Sequence, residues 1–131
     1  MPERQSISTG SPFEAMYGYC RAVRVDNVVH VAGTVAWSDD GKVIGVGDAY
    51  AQAKQAIRNI EKALVEAGSS LKDVVRTRAF LTDISNFEAL TKAHHEAFGD
   101  VRPAATMVVV SALATPEMLV EIEADAIVGS G

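Results

Sequence analysis

Ala105-Thr106-Met107-Val108-Val109-Val110-Ser111-Ala112-Leu113 is the stretch on which the fold turns. Its middle, Met107 to Val110, is continuously apolar. Successive side chains of a strand point to opposite faces, so a strand with one wet face alternates apolar and polar residues. An unbroken run demands cover on both faces. Working outward, the only covering elements the chain offers are two helices, and two helices cover one face of a sheet. The second face must meet another sheet, and a chain of 131 residues has none to spare. Self-association therefore follows from the pattern itself.

The first helix is the clearest element. Asp48 is a good N-cap, and Gly68 stands just past the end. Between them Ala49, Ala53, Ala56, Ile57, Ile60, Leu64 and Ala67 recur at helical spacing as one apolar stripe, while Lys54, Arg58, Lys62 and Glu66 fall outside it. Val74 to Thr82 reads as a strand. A second helix follows, with Ser85 and Glu88 spaced as a capping box, Phe87, Leu90, Ala97 and Phe98 as its apolar face, and Gly99 as its end. Toward the N-terminus, Arg21–Val25 and Val28–Ala32 are β-branched runs joined by Asp26-Asn27, a pair suited to a tight hairpin. Ser38-Asp39-Asp40-Gly41 is another turn signal. Met118 to Val128 is the last strand. Residues 1–13, rich in Ser, Gly and Pro, read as an arm or loop. The order is β-β-α-β-α-β-β in a single domain spanning 1–131, an α+β layer fold with both helices on one face.

Composition narrows the function classes. Apolar residues make up 48% of the chain and the formal net charge is −5, a balance that argues against nucleic acid held by bulk charge. Cys20 is the only cysteine, so no internal disulfide is available, which fits a reducing compartment. No segment reads as a secretory signal or a bilayer span, and the expectation is a cytoplasmic protein. There is no phosphate loop, no Cys-x-x-Cys and no nucleophile elbow. His94-His95-Glu96 contains metal-ligand types, but neighbours on a helix diverge by about 100°, so these residues read as solvated helix surface. His30, alternating with apolar residues, reads as structural or exposed. No metal or cofactor is expected.

Five blocks carry a resemblance. Tyr19-Cys20-Arg21-Ala22-Val23 with Val31-Ala32-Gly33-Thr34 is similar to a P-Y-S-x-A segment followed by a strand ending S-G-Q. Tyr50-Ala51-Gln52-Ala53-Lys54-Gln55-Ala56 through Asn59-Ile60 resembles A-x-Q-x-x-x-x-L-x-N-I. Val74-Val75-Arg76-Thr77 with Phe80-Leu81-Thr82-Asp83, then Arg102-Pro103-Ala104, then Val120-Glu121-Ile122-Glu123-Ala124 complete the series. These are the blocks, in order, of the Rid (reactive intermediate deaminase, YjgF/YER057c/UK114) family. The resemblance implies a chorismate-mutase-like homotrimer of the bacillus type, with three sheets around an axis, helices outside and ligand clefts between subunits. It implies hydrolysis of small reactive imines and enamines without a cofactor.

Carried over residue by residue, the resemblance makes Tyr19 and Glu121 the catalytic pair, Glu121 as the carboxylate that orients the attacking water. Arg21, Ala32, Arg78, Ala105 and Met107 are the expected substrate contacts. Two positions depart from the pattern. Ala32 stands where serine is usual, and Ala105 stands where the second arginine of R-P-A-R anchors the substrate carboxylate. A bidentate guanidinium clamp is worth orders of magnitude in affinity or rate, so the implied substrate differs from 2-iminopropionate. A trimer that binds a small molecule without catalysis is the alternative, and an endoribonuclease is a third reading. Strand parity puts Arg76, Arg78 and Phe80 on one face, and Glu121, Glu123 and Asp125 on one face of the last strand. Two readings of these charges stand at this point: an interfacial ion-pair network, or a relocated clamp built on Arg78.

Overall fold

Asp26 adopts a left-handed conformation, φ 52°, and closes a tight antiparallel hairpin between β2 (Ala22–Val25) and β3 (Val28–Thr34), with Val25 facing Val28. In this computed structural model, which describes residues 2–131, the hairpin is one part of a six-stranded sheet. The other strands are β1 (Arg4–Ile7), β4 (Val74–Leu81), β5 (Ala104–Val109) and β6 (Val120–Ile127), in the order β1-β2-β3-β6-β4-β5. All neighbours are antiparallel except β4 and β5, which run parallel and are connected through a helix, as a parallel pair requires. The architecture is α+β, as the sequence pattern predicts. Among the described residues no helix is long and apolar enough to cross a membrane.

Helix α2 (Ala49–Glu66) starts where Asp48 caps the amide of Ala51 at 3.0 Å. Every residue of the predicted stripe is buried. That stripe packs on the alternate residues Val120, Ile122, Ala124 and Ala126 of β6 and on Val29 and Val31 of β3. Burying each valine, leucine or isoleucine side chain of this layer contributes about 1.5–3 kcal/mol, and the alanines let the helix approach the sheet closely. Gln52 lies in the same interface, fully buried and fully bonded. Its Nε2 donates to the carbonyls of Gly45 (3.1 Å) and Glu117 (2.8 Å), and its Oε1 accepts from the amide of Leu119 (2.9 Å). One side chain thereby ties the loops before α2 and before β6 to the helix. Helix α3 (Phe87–Phe98) packs beside α2 and buries Leu90, Ala93 and Phe98.

Three expectations are corrected. Residues 1–13 are not all arm or loop: Arg4–Ile7 is an edge strand paired with β2, and Pro12–Tyr17 opens a short helix, α1, capped by Ser11. Only Ile7 of that strand is buried, so its polar composition hid it. The Ser85–Glu88 capping box does not form. A 3-10 turn, Ile84–Asn86, precedes α3, and the Asp83 carboxylate, one turn earlier, accepts the Ser85 amide at 2.8 Å. The last expectation concerns β5, which ends at Val109 rather than Leu113.

The face of the sheet away from α2 and α3 is uncovered in a single chain. It carries the three carboxylates of β6, the arginines of β4 and, at the far edge, Val108, 42% exposed. The apolar run thus finds its helix layer on one side only.

Candidate functional site

Glu121 lies on the uncovered face of β6, where the β3–β6 register slips between Val31 and Thr34. Gly33 sits in that irregularity. A β-carbon there would stand 3.0 Å from Cδ of Glu121 and closer still to Oε2, so the absence of a side chain at 33 is what seats the carboxylate against the backbone. Arg21 holds the same spot from the other side. Its Nη2 donates to the Gly33 carbonyl at 2.6 Å, its Cζ lies 5.5 Å from the centre of the Tyr19 ring, and the residue is only 8% exposed. Its Nε is buried with no partner among the described residues. Arg21 is therefore the link between Tyr19 and Glu121.

Burial raises the proton affinity of Glu121 above the ordinary carboxylate value; the Arg21 charge opposes this and Glu123 reinforces it. Beneath Arg21, Glu14 is buried and the balance is opposite. Burial alone would raise its pKa, but hydrogen bonds from the hydroxyls of Thr9 (2.5 Å) and Ser8 (2.7 Å) and from the Thr9 amide, with the charge of Arg21, hold it below the usual range. This network fixes the turn that delivers α1 and Tyr19 to the sheet.

Beside the Tyr19–Glu121 cluster a depression of about 580 Å³ opens, lined by Tyr19, Cys20, His30, Ala32, Glu123 and Asp125. Ala32 leaves its wall without a hydroxyl. His30 is exposed and pairs with Asp125 at 2.7 Å. The guanidinium of Arg78 lies 2.8 Å from Glu123 and 3.7 Å from Asp125, with register partner Glu123 directly across. Of the two readings of these charges, the geometry is that of an ion-pair network; Arg78 is engaged by carboxylates and stands as no free clamp.

Ala105 and Met107 lie elsewhere. They register with Thr77 and Ala79 across the parallel β4–β5 pair and so face the helix side. There they border a cavity of about 620 Å³ between α3 and β5. Within one chain they do not meet Tyr19 or Glu121. Sequence reasoning missed one residue of this cavity. His94, read as solvated surface, is half-buried, with Nε2 2.9 Å from the hydroxyl of Thr77 and its ring 4.8 Å from that of Phe98. Burial depresses its pKa, which keeps the imidazole neutral near pH 7. The signal was available in the spacing: His94 is four residues from both Leu90 and Phe98, on the buried stripe. Among the described residues no group of His, Cys, Asp and Glu could hold a metal ion.

Comparison with known proteins adds a family. Residues 9–128 match the family model described as endoribonuclease L-PSP. The chain is 35% identical over 122 residues to the 3-aminoacrylate deaminase RutC of Acinetobacter baylyi, covering 93% of this chain and 95% of that one. It is similar to the crystal structure of Rv2704 from Mycobacterium tuberculosis, described as a member of the YjgF/YER057c/UK114 family, with 48% identity and a TM-score of 0.87 over 96% of this chain and all of that one. A Rid-family protein of Yersinia pestis, YyfA, matches at 29% identity and a TM-score of 0.84, over 96% of this chain and all of that one.

Proposed function

The chain belongs to the endoribonuclease L-PSP family, also known as YjgF/Rid, and from that premise we propose that it hydrolyses a small reactive imine or enamine at sites shared between subunits of a homotrimer. The observation that carries the reading is the half-buried Glu121 carboxylate seated against Gly33, with Arg21 and Tyr19 beside it.

In this reading Glu121 accepts a proton from a water as the water oxygen bonds to the imine carbon, the C=N π pair moves to nitrogen, and the nitrogen takes up a proton from solvent to give the carbinolamine. The carbinolamine then collapses: the C–N bond breaks, the nitrogen leaves as ammonia after taking a proton, and the carbinol O–H gives up its proton as the carbonyl forms. Tyr19 donates a hydrogen bond to the substrate. Arg21 is a positioning residue that keeps Glu121 in place and favours its ionised, proton-accepting form. An enamine enters the same sequence after protonation at carbon. The second half of each site, Ala105 and Met107, comes from the neighbouring chain. With alanine at both 32 and 105, the substrate differs from 2-iminopropionate.

The test is ammonia release from a panel of imines generated in place from different amines. The parent should accelerate release from at least one member, and Glu121→Gln should remove at least two orders of magnitude of that acceleration. A parent that accelerates none of them would replace this reading with the second one, a binding trimer without catalysis, which the missing arginine at 105 favours. RNA cleavage fits poorly with three carboxylates in a row on β6 and a net charge of −5.

A further inference from the structure

Helix α1 is held to the protein by one residue. It is six residues long, too short for a helix to persist in water without packing. Its apolar side chains supply little of that packing. Phe13, Met16 and Tyr17 are 56%, 80% and 86% exposed, and Glu14 is the buried member. The buried group is thus a carboxylate, and it is well bonded. The hydroxyls of Ser8 and Thr9 donate to its two oxygens at 2.7 and 2.5 Å, and the Thr9 amide adds a longer bond of 3.3 Å. The carbonyl of the same residue accepts the amides of Gly18 and Tyr19, both at 2.9 Å. Glu14 therefore ties the segment before α1 to the tyrosine after it.

The segment so held has a pivot at each end. Gly10 has φ 79° and Gly18 φ 90°, both left-handed, and a side chain at either would meet only open space. The P-Y-S-x-A pattern that this stretch resembles has proline directly before the tyrosine. Proline fixes φ at about −65° and carries no N–H. It could neither take the turn at Gly18 nor make the bond from that amide to Glu14. A hydrogen-bonded restraint therefore stands here in place of a covalent one. Beyond the pivot, the Tyr19 ring meets Tyr17 edge-on at 5.9 Å and the Arg21 guanidinium at 5.5 Å.

We propose that Glu14 is a positioning residue for the Tyr19 half of the site: by latching α1 it sets the Tyr19 ring against Arg21. Released, α1 turns on the two glycines and carries Tyr19 off Arg21, which keeps its own bond to the Gly33 carbonyl. Glu14, Ala15 and Gly18 border the depression together with Tyr19, so the same movement reshapes that wall. The effect on turnover rests on the hydrolytic reading; the seat of Tyr19 does not, and is measured without any reaction.

The Arg21 side-chain N–H resonance is the reporter, because the guanidinium stands over the Tyr19 ring and is shielded by it. Tyr19→Leu gives its unshielded position. Trp37, the only tryptophan, stacks on Phe13 and reports α1 by its emission. Glu14→Leu fills a similar volume and leaves the two hydroxyls without their acceptor. It should move the Arg21 resonance to the unshielded position and shift the Trp37 emission, while hydrogen exchange at Ile60 and Ile122 stays within threefold of the parent. Ser8→Ala combined with Thr9→Val, at exposed positions, should do the same. Glu14→Gln, whose amide can still bond both hydroxyls, should restore the shielded resonance. An unmoved resonance in the leucine and double variants overturns the proposal. So does a movement accompanied by faster exchange throughout the sheet, which is general destabilisation. On an imine that the parent hydrolyses, Glu14→Leu should lower kcat at least tenfold; a moved resonance with kcat unchanged overturns the positioning role. A moved resonance, where the parent releases no ammonia from any imine, leaves the latch standing and sinks the hydrolytic reading alone.

Discussion

Glu121 is held in a place that favours its neutral form, and this has a sign that can be tested. Burial raises its pKa, Arg21 lowers it and Glu123 raises it again, with a net rise. A carboxyl that binds its proton more tightly in the native state than in the unfolded chain adds stability that is complete below the unfolded pKa. That stability is lost as pH rises through the native pKa. At neutral pH the ionised Glu121 therefore works against folding. Glu121→Gln should be inactive and at least as stable as the parent at pH 7, with the difference closing as the pH falls below the carboxylate range; thermal melts across pH check this. A glutamine variant that is less stable at pH 7 would mean that Arg21 depends on the charge more than burial opposes it. Glu14, three residues after the Ser11 cap of α1, behaves oppositely: its pKa is depressed, so the stability it adds is present above the ordinary carboxylate value and lost as acid protonates the native form.

At the scale of elements, Gln52 predicts where the fold is least tolerant. A buried amide with three hydrogen bonds to the backbone of two loops leaves three orphan groups when removed. Gln52→Leu should cost about 2–4 kcal/mol, measured by denaturant unfolding, although leucine is the better helix former and more apolar. What the chain announces in advance follows the same logic. Helix α2 was legible because its stripe is long and its cap is Asp48. The hairpin was legible because Asp26-Asn27 announces a tight turn. Strand β1 was not, since a polar four-residue edge strand takes its identity from its partner β2 rather than from its own pattern. The site divides similarly. Tyr19, Arg21 and Glu121 were named from strand order and resemblance, and the structure joins them through Arg21. His94 escaped because two adjacent histidines on one helix look alike in sequence, while one faces the sheet and the other water.

As a single chain the molecule leaves one sheet face without a covering layer. On that face Val108 is 42% exposed, and the charged row of β6 and β4 faces solvent. A sheet face of this kind is a surface for association, and family likeness gives the number of chains expected. Sedimentation equilibrium should return three chains per particle at micromolar concentration. Val108→Asp should shift that distribution toward monomer, because it places a charge on the apolar end of the face. A stable monomer in the parent would remove the shared site along with the assembly.

The placement of Tyr19 with Glu121 on one side of the sheet and Ala105 with Arg102 at the helix-side edge has a genetic reading. If each working site takes one cluster from one chain and the other from its neighbour, the two lesions belong to different complementation groups. Chains ruined at Glu121 and chains blocked at Ala105 by a bulky side chain, refolded together in equal amounts, would rebuild about a quarter of the sites by chance alone, since each site needs an intact half from each donor. Two dead alleles in one cell would then support each other, whereas two copies of either one would not.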